Sequence, residues 1–502
     1  MSATKSIEQA FQHVRQTALL QSTMALLEWD QHTKMPNGAA KWRSDQIAAL
    51  AEQIHDRRTE TQLGDWLTEA DAADLSSHDP ETAVNIRQLK NDYERQTKLP
   101  GQLVVALARA SSEGQTAWVE ARKNNDFASF AETLKRIFDL KREQAQAIGY
   151  VDHPYDALID EYEPGAKTSD VAATLKGLCD DLVPLVAAIQ EKAGATDPSI
   201  LRRNYAIEKQ QQFGRSVSAD IGFDYDRGRL DVTHHPFCTE LGPNDCRITT
   251  RYEEAFFSGS FFGTLHEAGH GIYEQGLRAD QYGLPLGTYC SLGIHESQSR
   301  LWENLVGRSQ SFWQYYFPRA KSIFSASLSD VSQDDFYKAV NHVQPSLIRV
   351  EADEATYNLH IAIRFELETA LIKDDLAVTD LPAAWNEKYQ QYLGITPPSD
   401  AEGVLQDVHW AAGLVGYFPT YSLGNLYASQ FFEAAESELG DLDQLFAGGQ
   451  FGPLKNWLNE RIHWSGKGMT GPELGLTVAK KPLGHEQLMN HLRNKYSAIY
   501  GL

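Results

Sequence analysis

The stretch LHEAGHGIY, residues 265–273, decides how the rest of this sequence is interpreted. It places two histidines, His266 and His270, four positions apart, with Glu267 directly after the first. In a helix this spacing puts both imidazoles on one face, with β-carbons about 5–6 Å apart, so that both can reach one tetrahedral ion. Glu267 then lies beside the ion, where it can take a proton from the activated water and pass it to a leaving amine. The stretch therefore predicts a hydrolytic metal site.

The alternative is that both histidines merely pack a helix. With 16 histidines in 502 residues, chance produces this pattern roughly once in thirty such sequences, so the motif alone is moderately specific. Its flanks favour a helix with a capping serine, an apolar side and a closing glycine. The residues concerned are Ser258 or Ser260, then Phe261, Leu265 and Ile272, then Gly276.

A catalytic zinc ion needs a third protein ligand and an open position. Gly276 occupies the position where the extended form of the motif has a third histidine, and the reversed pattern HxxEH is absent. The segment GIHESQSRLWENL, residues 293–305, reads as a second helix with Glu296 near its start. Spacing favours Glu296 as the third ligand, because a His/His/Glu set suits a hydrolytic zinc. Glu303, two turns further on, remains a competitor, and His295 is either a ligand or the partner of one.

Composition indicates a soluble globular protein with a sizeable core. The chain is 42% hydrophobic and 23% charged, with a formal net charge of -22, which argues against nucleic acid or an anionic membrane as a partner. The start lacks the basic region, apolar core and cleavage site of a signal peptide, and no apolar run approaches bilayer length. The four cysteines show no CxxC pair, so we expect a reducing, cytoplasmic location.

Apolar periodicity predicts a mainly α protein. Residues 5–55, 102–150, 168–193 and 298–325 carry apolar side chains at three- and four-residue intervals. The alternating stretch RGRLDVTHHPFCT, with CRITTRY after it, is the best candidate for a few strands and lies just upstream of the metal motif (residues 227–252). No linker separates independent domains, so we expect one large helical body over 1–502 with a small β-sheet beside the site.

Six short motifs in this order resemble the carboxypeptidase Taq family of zinc metallocarboxypeptidases. They are HPF (235–237), DCRIT (245–249), HEAGH (266–270), HESQS (295–299), IRVEAD (348–353) and GVLQDVHW (403–410). The segments LEWDQHTKMP (27–36) and NKYSAIYGL (494–502) are similar to the ends of that family. The resemblance therefore covers essentially the whole chain.

The resemblance implies a fold, an activity and a ligand set. The fold is a nearly all-helical, gluzincin-like body with a deep groove, in which residues about 1–200 form one wall and 201–502 carry the zinc site. The implied activity removes single residues from peptides with a free C-terminus. The resemblance also implies that the protein is a homodimer. His266, His270 and Glu296 would hold one zinc ion per chain, or cobalt in its place, and Glu267 would be the general base.

An exopeptidase must also recognise the free carboxylate, for which the planar fork of arginine is best suited. Two arginines lie in family motifs, Arg247 in DCRIT and Arg349 in IRVEAD. The resemblance places DCRIT and GVLQDVHW at the closed end of the groove, which favours Arg247. The competing interpretation is that Arg247 pairs with a nearby acid to hold the fold. The other substrate-binding residues predicted from these motifs are Asp245, Thr249, His235, Gln406 and Asp407.

Two further roles complete the prediction. Tyr421, with His409 as an alternative, is expected to donate a hydrogen bond to the scissile carbonyl oxygen as negative charge develops there. Asp353 is expected to accept the second N–H of a ligand imidazole. The competing functions are a helical zinc oligopeptidase or a peptidyl dipeptidase, and a catalytically silent peptide-binding protein, which the retained motif residues make less favoured.

Overall fold

The computed structural model describes residues 3–72 and 79–502, and helices dominate it. The N-terminal part holds α1 (Ala3–Thr33), α2 (Ala40–Thr59), α3 (Thr61–Asp71), α4 (Pro80–Thr97), α5 (Gly101–Asn124), α6 (Phe127–Ile148), α7 (Pro154–Ile159) and α8 (Thr168–Gln190). Next come α9 (Ile207–Asp220), β1 (Gly228–Val232), β2 (Cys238–Glu240), β3 (Cys246–Thr250), α10 (Phe257–Gly276) and α11 (Leu292–Arg300). A π-helical turn over Leu301–Val306 extends α11.

The C-terminal part is again helical. It holds α12 (Gln310–Ile323), α13 (Ser325–Leu328), α14 (Gln333–Val340), α15 (Tyr357–Lys373), α16 (Leu381–Leu393), α17 (Pro419–Leu439), α18 (Leu442–Ala447), α19 (Gly452–Arg461), α20 (Gly471–Ala479) and α21 (Glu486–Tyr500). The prediction of a mainly α fold with a small sheet is confirmed.

Besides 298–325, in which residues 307–309 separate the π-helical turn from α12, two of the predicted helical stretches are interrupted. The stretch 5–55 is broken around Pro36, whose extended backbone (φ -60°, ψ 136°) separates α1 from α2. The stretch 102–150 is broken at Asn125, which adopts the left-handed conformation (φ 54°) between α5 and α6. Apolar spacing continues across both breaks, because the paired helices bury their apolar faces in the same body. Periodicity therefore predicted the helices but not their ends.

The small sheet lies directly beside α10. Its strand order is β1-β3-β2, with β1 parallel and β2 antiparallel to β3. Ile248 of β3 faces α10, since a β-carbon added to Gly271 would lie 3.2 Å from the Ile248 side chain. Successive side chains of a strand point to opposite faces, so Arg247 lies on the face turned away from α10. This alternation decides which residues of DCRIT can reach α10, the helix that carries His266 and His270.

A cavity of about 880 Å³ separates the N-terminal helices from the region around α10 and α11. Thr17 of α1 and Arg58 of α2 line one side, whereas Glu240 of β2 and His295 of α11 line the other. A separate apolar cluster, which includes Leu67 and other side chains of α1, α3 and α4, stabilises the N-terminal helices. These helices thus form one side of a cavity that reaches Glu274 and His295, next to the metal motif.

Neither a disulfide nor a membrane-spanning helix contributes to the part of the chain that the structure describes. All four cysteines are free thiols, although Cys238 Sγ lies 3.6 Å from Cys246 Sγ across β2 and β3. Within residues 3–72 and 79–502, no helix is both long enough and apolar enough to cross a bilayer.

A buried ion network attaches α21 to the segment just before α15. Lys495 Nζ donates to Glu354 Oε2 at 2.7 Å, and His491 Nε2 lies 3.0 Å from Glu354 Oε1. Burial alone would raise the pKa of the Glu354 carboxyl, but Lys495 and His491 hold that pKa well below its ordinary range. The folded state therefore stabilises the charged form of Glu354.

We expect Glu354→Ala to lower the free energy of unfolding by about 3–5 kcal/mol, because it leaves the Lys495 ammonium buried and unpaired. Urea denaturation at pH 7 measures this, and Lys135→Ala in an exposed ion pair should leave the midpoint unchanged. Since the folded-state pKa of Glu354 is depressed, its contribution is present above the unfolded pKa and is lost as the pH falls through the folded pKa. A loss below about 1 kcal/mol would contradict the prediction.

Candidate active site

Helix α10 places the two histidines of the motif one turn apart. Their ring centroids are 4.8 Å apart and both side chains are half-buried. The helix ends at Gly276 as predicted, but the predicted serine caps are wrong. Phe256 occupies the N-cap position, and Ser260 lies inside the helix, where its hydroxyl donates to the Gln210 side chain.

Two glycines let neighbouring helices approach the motif closely. A β-carbon on Gly269 of α10 would lie 2.6 Å from Ser299 Cα of α11, and one on Gly424 of α17 would lie 2.5 Å from Glu296 Cγ. A side chain at either position would push α11 away, because β-carbons essentially never lie that close to a non-bonded heavy atom. Sequence reasoning missed both positions, although the small residues inside HEAGHG were a signal for close helix packing at Gly269.

The third predicted ligand joins the histidines. Glu296 Oε2 lies 3.7 Å from His266 Nε2 and 3.5 Å from His270 Nε2. One donor atom from each of the three side chains lies within 4.8 Å of the other two. Two imidazole nitrogens and one carboxylate oxygen are the donor set of hydrolytic zinc sites, which keep a fourth position open. The residues present thus fit a divalent ion such as zinc.

The far side of each imidazole is held by a further side chain. His266 Nδ1 lies 2.9 Å from Glu303 Oε2, and His270 Nδ1 lies 2.6 Å from His295 Nδ1. His295 Nε2 in turn lies 2.7 Å from Glu274 Oε1. Both histidines therefore turn Nε2 towards Glu296, while Nδ1–H can donate outward, the arrangement typical of metal-binding imidazoles. In this geometry Glu303 and His295 are partners of the histidines, and Glu274 is a partner that sequence reasoning missed.

Burial and neighbouring charges together set the pKa values of the cluster. Burial would lower the pKa of His266, but Glu296 and Glu303 raise it above its ordinary value. Burial raises the pKa of Glu267 to about 7, with the nearby His266 opposing the shift. Burial lowers the pKa of His270 to about 3, and His295 adds to the effect. His270 is thus neutral at pH 7, the state in which an imidazole nitrogen can bind a metal.

The IRVEAD and GVLQDVHW motifs meet in a second buried cluster. Arg349 donates through Nε and Nη2 to Asp407 Oδ1, at 3.1 and 2.9 Å, and through Nη1 to Tyr357 Oη at 3.0 Å. Arg364 donates to the other oxygen of Asp407. The Arg349 guanidinium also lies 5.0 Å from the centroid of the Tyr421 ring. One aspartate thus fixes two arginines beside the tyrosine that was expected to donate.

Tyr421 and His409 contact each other. Tyr421 Oη lies 3.2 Å from His409 Nε2. Burial lowers the pKa of His409 to about 4 and raises the pKa of Tyr421 well above its ordinary value. At pH 7 the imidazole is therefore neutral and the phenol keeps its proton, so both side chains can take part in hydrogen bonds to a carbonyl oxygen.

Arg247 pairs with Asp245, the contact that the competing interpretation expected. Its Nε and Nη2 donate to both oxygens of Asp245, at 2.9 and 2.8 Å, and its guanidinium stacks 4.2 Å from the Trp29 ring centroid. The Thr249 hydroxyl is buried and bonds to both the N–H and the C=O of Phe237. His235 is exposed in the loop between β1 and β2 rather than in a strand. The DCRIT residues hold α1 and the sheet together.

Two other residues with predicted roles, Gln406 and Asp353, make contacts that stabilise the fold instead. Gln406 accepts from the backbone N–H of Arg349 at 2.9 Å and donates to Leu347 O, so its amide fixes the loop. Asp353 was expected to orient a ligand imidazole, and this prediction is wrong. Its Oδ1 accepts from the backbone N–H groups of Ala355 and Thr356, at 3.0 and 2.9 Å, which fixes the turn before α15.

Comparisons with known proteins agree with this geometry. The family model described as carboxypeptidase Taq (M32) metallopeptidase matches residues 9–496. Thermostable carboxypeptidase 1 of Thermus thermophilus is 47% identical over 98% of this chain and 99% of its own, and carboxypeptidase 1 of Bacillus subtilis is 39% identical over 95% of both. The crystal structure of the M32 carboxypeptidase from Deinococcus radiodurans R1 has a TM-score of 0.97 and 41% identity over 99% of this chain and 100% of that one. The chain belongs to the carboxypeptidase Taq (M32) family of metallopeptidases.

Proposed function

We propose that this metallocarboxypeptidase releases single residues of broad specificity from peptide C-termini, with one zinc ion per chain bound by His266, His270 and Glu296. The observation that carries the proposal is the three-donor cluster, in which both imidazoles present Nε2 and are held at Nδ1. Zinc suits two nitrogen donors and one oxygen donor, and cobalt accepts the same ligands. We further infer a cytoplasmic location, which the free cysteines support, and a homodimer, which the family resemblance alone supports.

Glu267 is the proposed general base. The bound ion supplies Lewis-acid polarisation of the attacking water and of the scissile carbonyl. Glu267 follows His266 in the chain but lies outside the donor cluster, so its carboxylate is available for proton transfer. It accepts the proton of the attacking water and gives it to the leaving amine. A pKa of about 7 suits a group that must both take and release a proton near neutral pH.

Tyr421 is the proposed donor to the carbonyl oxygen, which gains negative charge as water attacks. The raised pKa of its phenol keeps the proton in place, and neutral His409 orients the hydroxyl from 3.2 Å. A preorganised donor of this kind stabilises the developing oxyanion more than it stabilises the substrate. His409 is the alternative donor, since its Nε2 lies beside the Tyr421 hydroxyl.

Arg349 is the proposed site for the substrate carboxylate, in preference to Arg247. Arg349 adjoins Tyr421 and shares the Tyr357 side chain with Arg300, whose Nε bonds to Glu296. A continuous set of contacts therefore connects Arg349 to the metal cluster. Both arginines donate to an aspartate, so the choice between them rests on position. Arg247 lies on the sheet face turned away from α10.

We expect Arg349→Met to raise KM for peptide acids by about 10- to 100-fold, since a charge-assisted hydrogen bond contributes about 1.5–3 kcal/mol. The assay is a mass-spectrometric time course on an N-acetylated unstructured peptide, as the free acid and as the C-terminal amide. The wild type should shorten the acid one residue at a time and discriminate against the amide. Arg349→Met should lose that discrimination, whereas Arg247→Met should keep it.

A general loss of structure would lower turnover of the acid and the amide together, so the ratio separates recognition from misfolding. Loss of discrimination in Arg247→Met, with Arg349→Met unaffected, would return the carboxylate role to Arg247. Shortening by pairs of residues would contradict the release of single residues.

A further inference from the structure

Arg300 occupies a central position between the metal cluster and its surroundings. It follows Glu296 by one turn of α11, and its side chain is only 12% exposed. Nε donates to Glu296 Oε1 at 2.7 Å, and Nη1 donates to Glu303 Oε2 at 3.2 Å. The guanidinium lies 4.2 Å from the centroid of the Tyr357 ring, which supports it from one face. One buried cation thus spans two carboxylates.

The two oxygens of Glu296 consequently have different surroundings. Oε1 is occupied by Arg300, whereas Oε2 faces the Nε2 atoms of His266 and His270 and also accepts from the Ser299 hydroxyl at 3.2 Å. A carboxylate with both oxygens available can bind a divalent ion through both of them and fill its coordination shell. A carboxylate that is held at one oxygen binds through the other.

Arg300 also acts on the second carboxylate. Glu303 Oε2 is shared by Arg300 Nη1 and His266 Nδ1, so the same guanidinium steadies the group that orients the first histidine. The charge of one guanidinium thus compensates both the Glu296 and the Glu303 carboxylate. The planar fork suits this task, because its separate N–H groups reach two acceptors at once, whereas lysine offers a single point charge.

We propose that Arg300 is a positioning residue of the metal centre, which keeps Glu296 as a one-oxygen ligand and Glu303 in place behind His266. This inference rests on the proposed ligand set. The consequence is that one coordination position stays open, which a hydrolytic site requires. Arg300 bonds to Glu296 and Glu303, so its effect reaches the metal through these two carboxylates.

The test compares Arg300→Met and Arg300→Lys with a matched control, Arg308→Met. Arg308 Nη2 lies 3.7 Å from Glu303 Oε1, and Arg308 donates hydrogen bonds to Asn304 Oδ1 and Val340 O. Arg308→Met therefore removes a nearby cation without freeing Glu296 Oε1. Purified apoprotein is titrated with zinc against a competing chelator, and the visible spectrum of the cobalt-loaded protein reports its coordination number. Circular dichroism confirms that each variant is folded.

We expect Arg300→Met to weaken zinc binding by about 10- to 100-fold, because Glu296 and Glu303 lose the group that holds them in place and the loss of such a partner commonly has an effect of this size. The cobalt spectrum should shift from four- towards five-coordinate. Arg300→Lys should lie between Arg300→Met and the wild type, and Arg308→Met should stay within about threefold of wild-type affinity with an unchanged spectrum. Should Arg300→Met not fold, Arg300→Lys decides, because it keeps the charge.

Wild-type zinc affinity and an unchanged cobalt spectrum in the folded Arg300 variants would overturn the proposal. An equal loss in Arg308→Met would also overturn it, since the effect would then be one of general charge. Failure of the ligand set itself gives a different result, because the wild type would then bind no stoichiometric zinc or His266→Ala would bind it normally.

Discussion

Glu267→Gln should retain one zinc ion per chain and lose about 10²–10⁴-fold in kcat, the usual contribution of a positioned general base. The glutamine amide has nearly the same shape as the carboxyl group but cannot accept the proton of the attacking water. Because Glu267 lies outside the donor cluster, the substitution leaves every proposed ligand in place. This variant should therefore lose turnover while its metal content stays at the wild-type level.

The measurement pairs steady-state kinetics on a peptide acid with metal analysis of the same sample. Both kcat and kcat/KM should fall by the same factor, the signature of an interaction made in the transition state. Glu240→Gln is the matched control, because burial also raises the pKa of Glu240, to about 8, and its side chain lines the cavity from β2. Its kcat should stay within about threefold of the wild type. Activity above a tenth of wild type in Glu267→Gln would remove the role of general base.

The metal half of the site could be predicted from sequence because it depends on local rules. Helical spacing alone puts His266 and His270 on one face, and a second amphipathic segment supplies Glu296 within a short stretch of chain. The choice between Glu296 and Glu303 depends on how closely α11 approaches α10. That approach is set by Gly269 and Gly424, which meet α11 from two different helices.

The substrate half depends on contacts between distant segments. Whether Arg247 or Arg349 is available depends on which sheet face turns towards α10 and on Asp407, 58 residues beyond Arg349. Neither the orientation of the sheet nor the contact with Asp407 can be predicted from the periodicity of a single sequence. Asp353 is different, because its carboxylate bonds to the N–H groups two and three residues later. Such local turns are common for aspartate, so the sequence offered a reason to expect a structural role there.

Glu296→Ala should weaken zinc binding by roughly 10²–10³-fold, since the ion loses one of three protein ligands and each ligand contributes a large share of the binding free energy. Glu303→Ala should weaken it by about 10- to 100-fold, because it removes the partner of His266 Nδ1 rather than a ligand. The two glutamates share a helix end, burial and Arg300 as a neighbour, so each variant is the control for the other.

Zinc affinity is measured by chelator competition and by the stability that zinc adds to the folded protein. A ligand present at a thousand times its Kd stabilises the native state by about 4.1 kcal/mol. At one fixed zinc concentration, a thousandfold loss of affinity therefore removes nearly all of this increment, whereas a tenfold loss removes about 1.4 kcal/mol. The gain in Tm on adding zinc should thus be large in the wild type, reduced in Glu303→Ala and smallest in Glu296→Ala. The opposite order would make Glu303 the third ligand and Glu296 its partner, which would require α11 to turn relative to α10 when the ion binds.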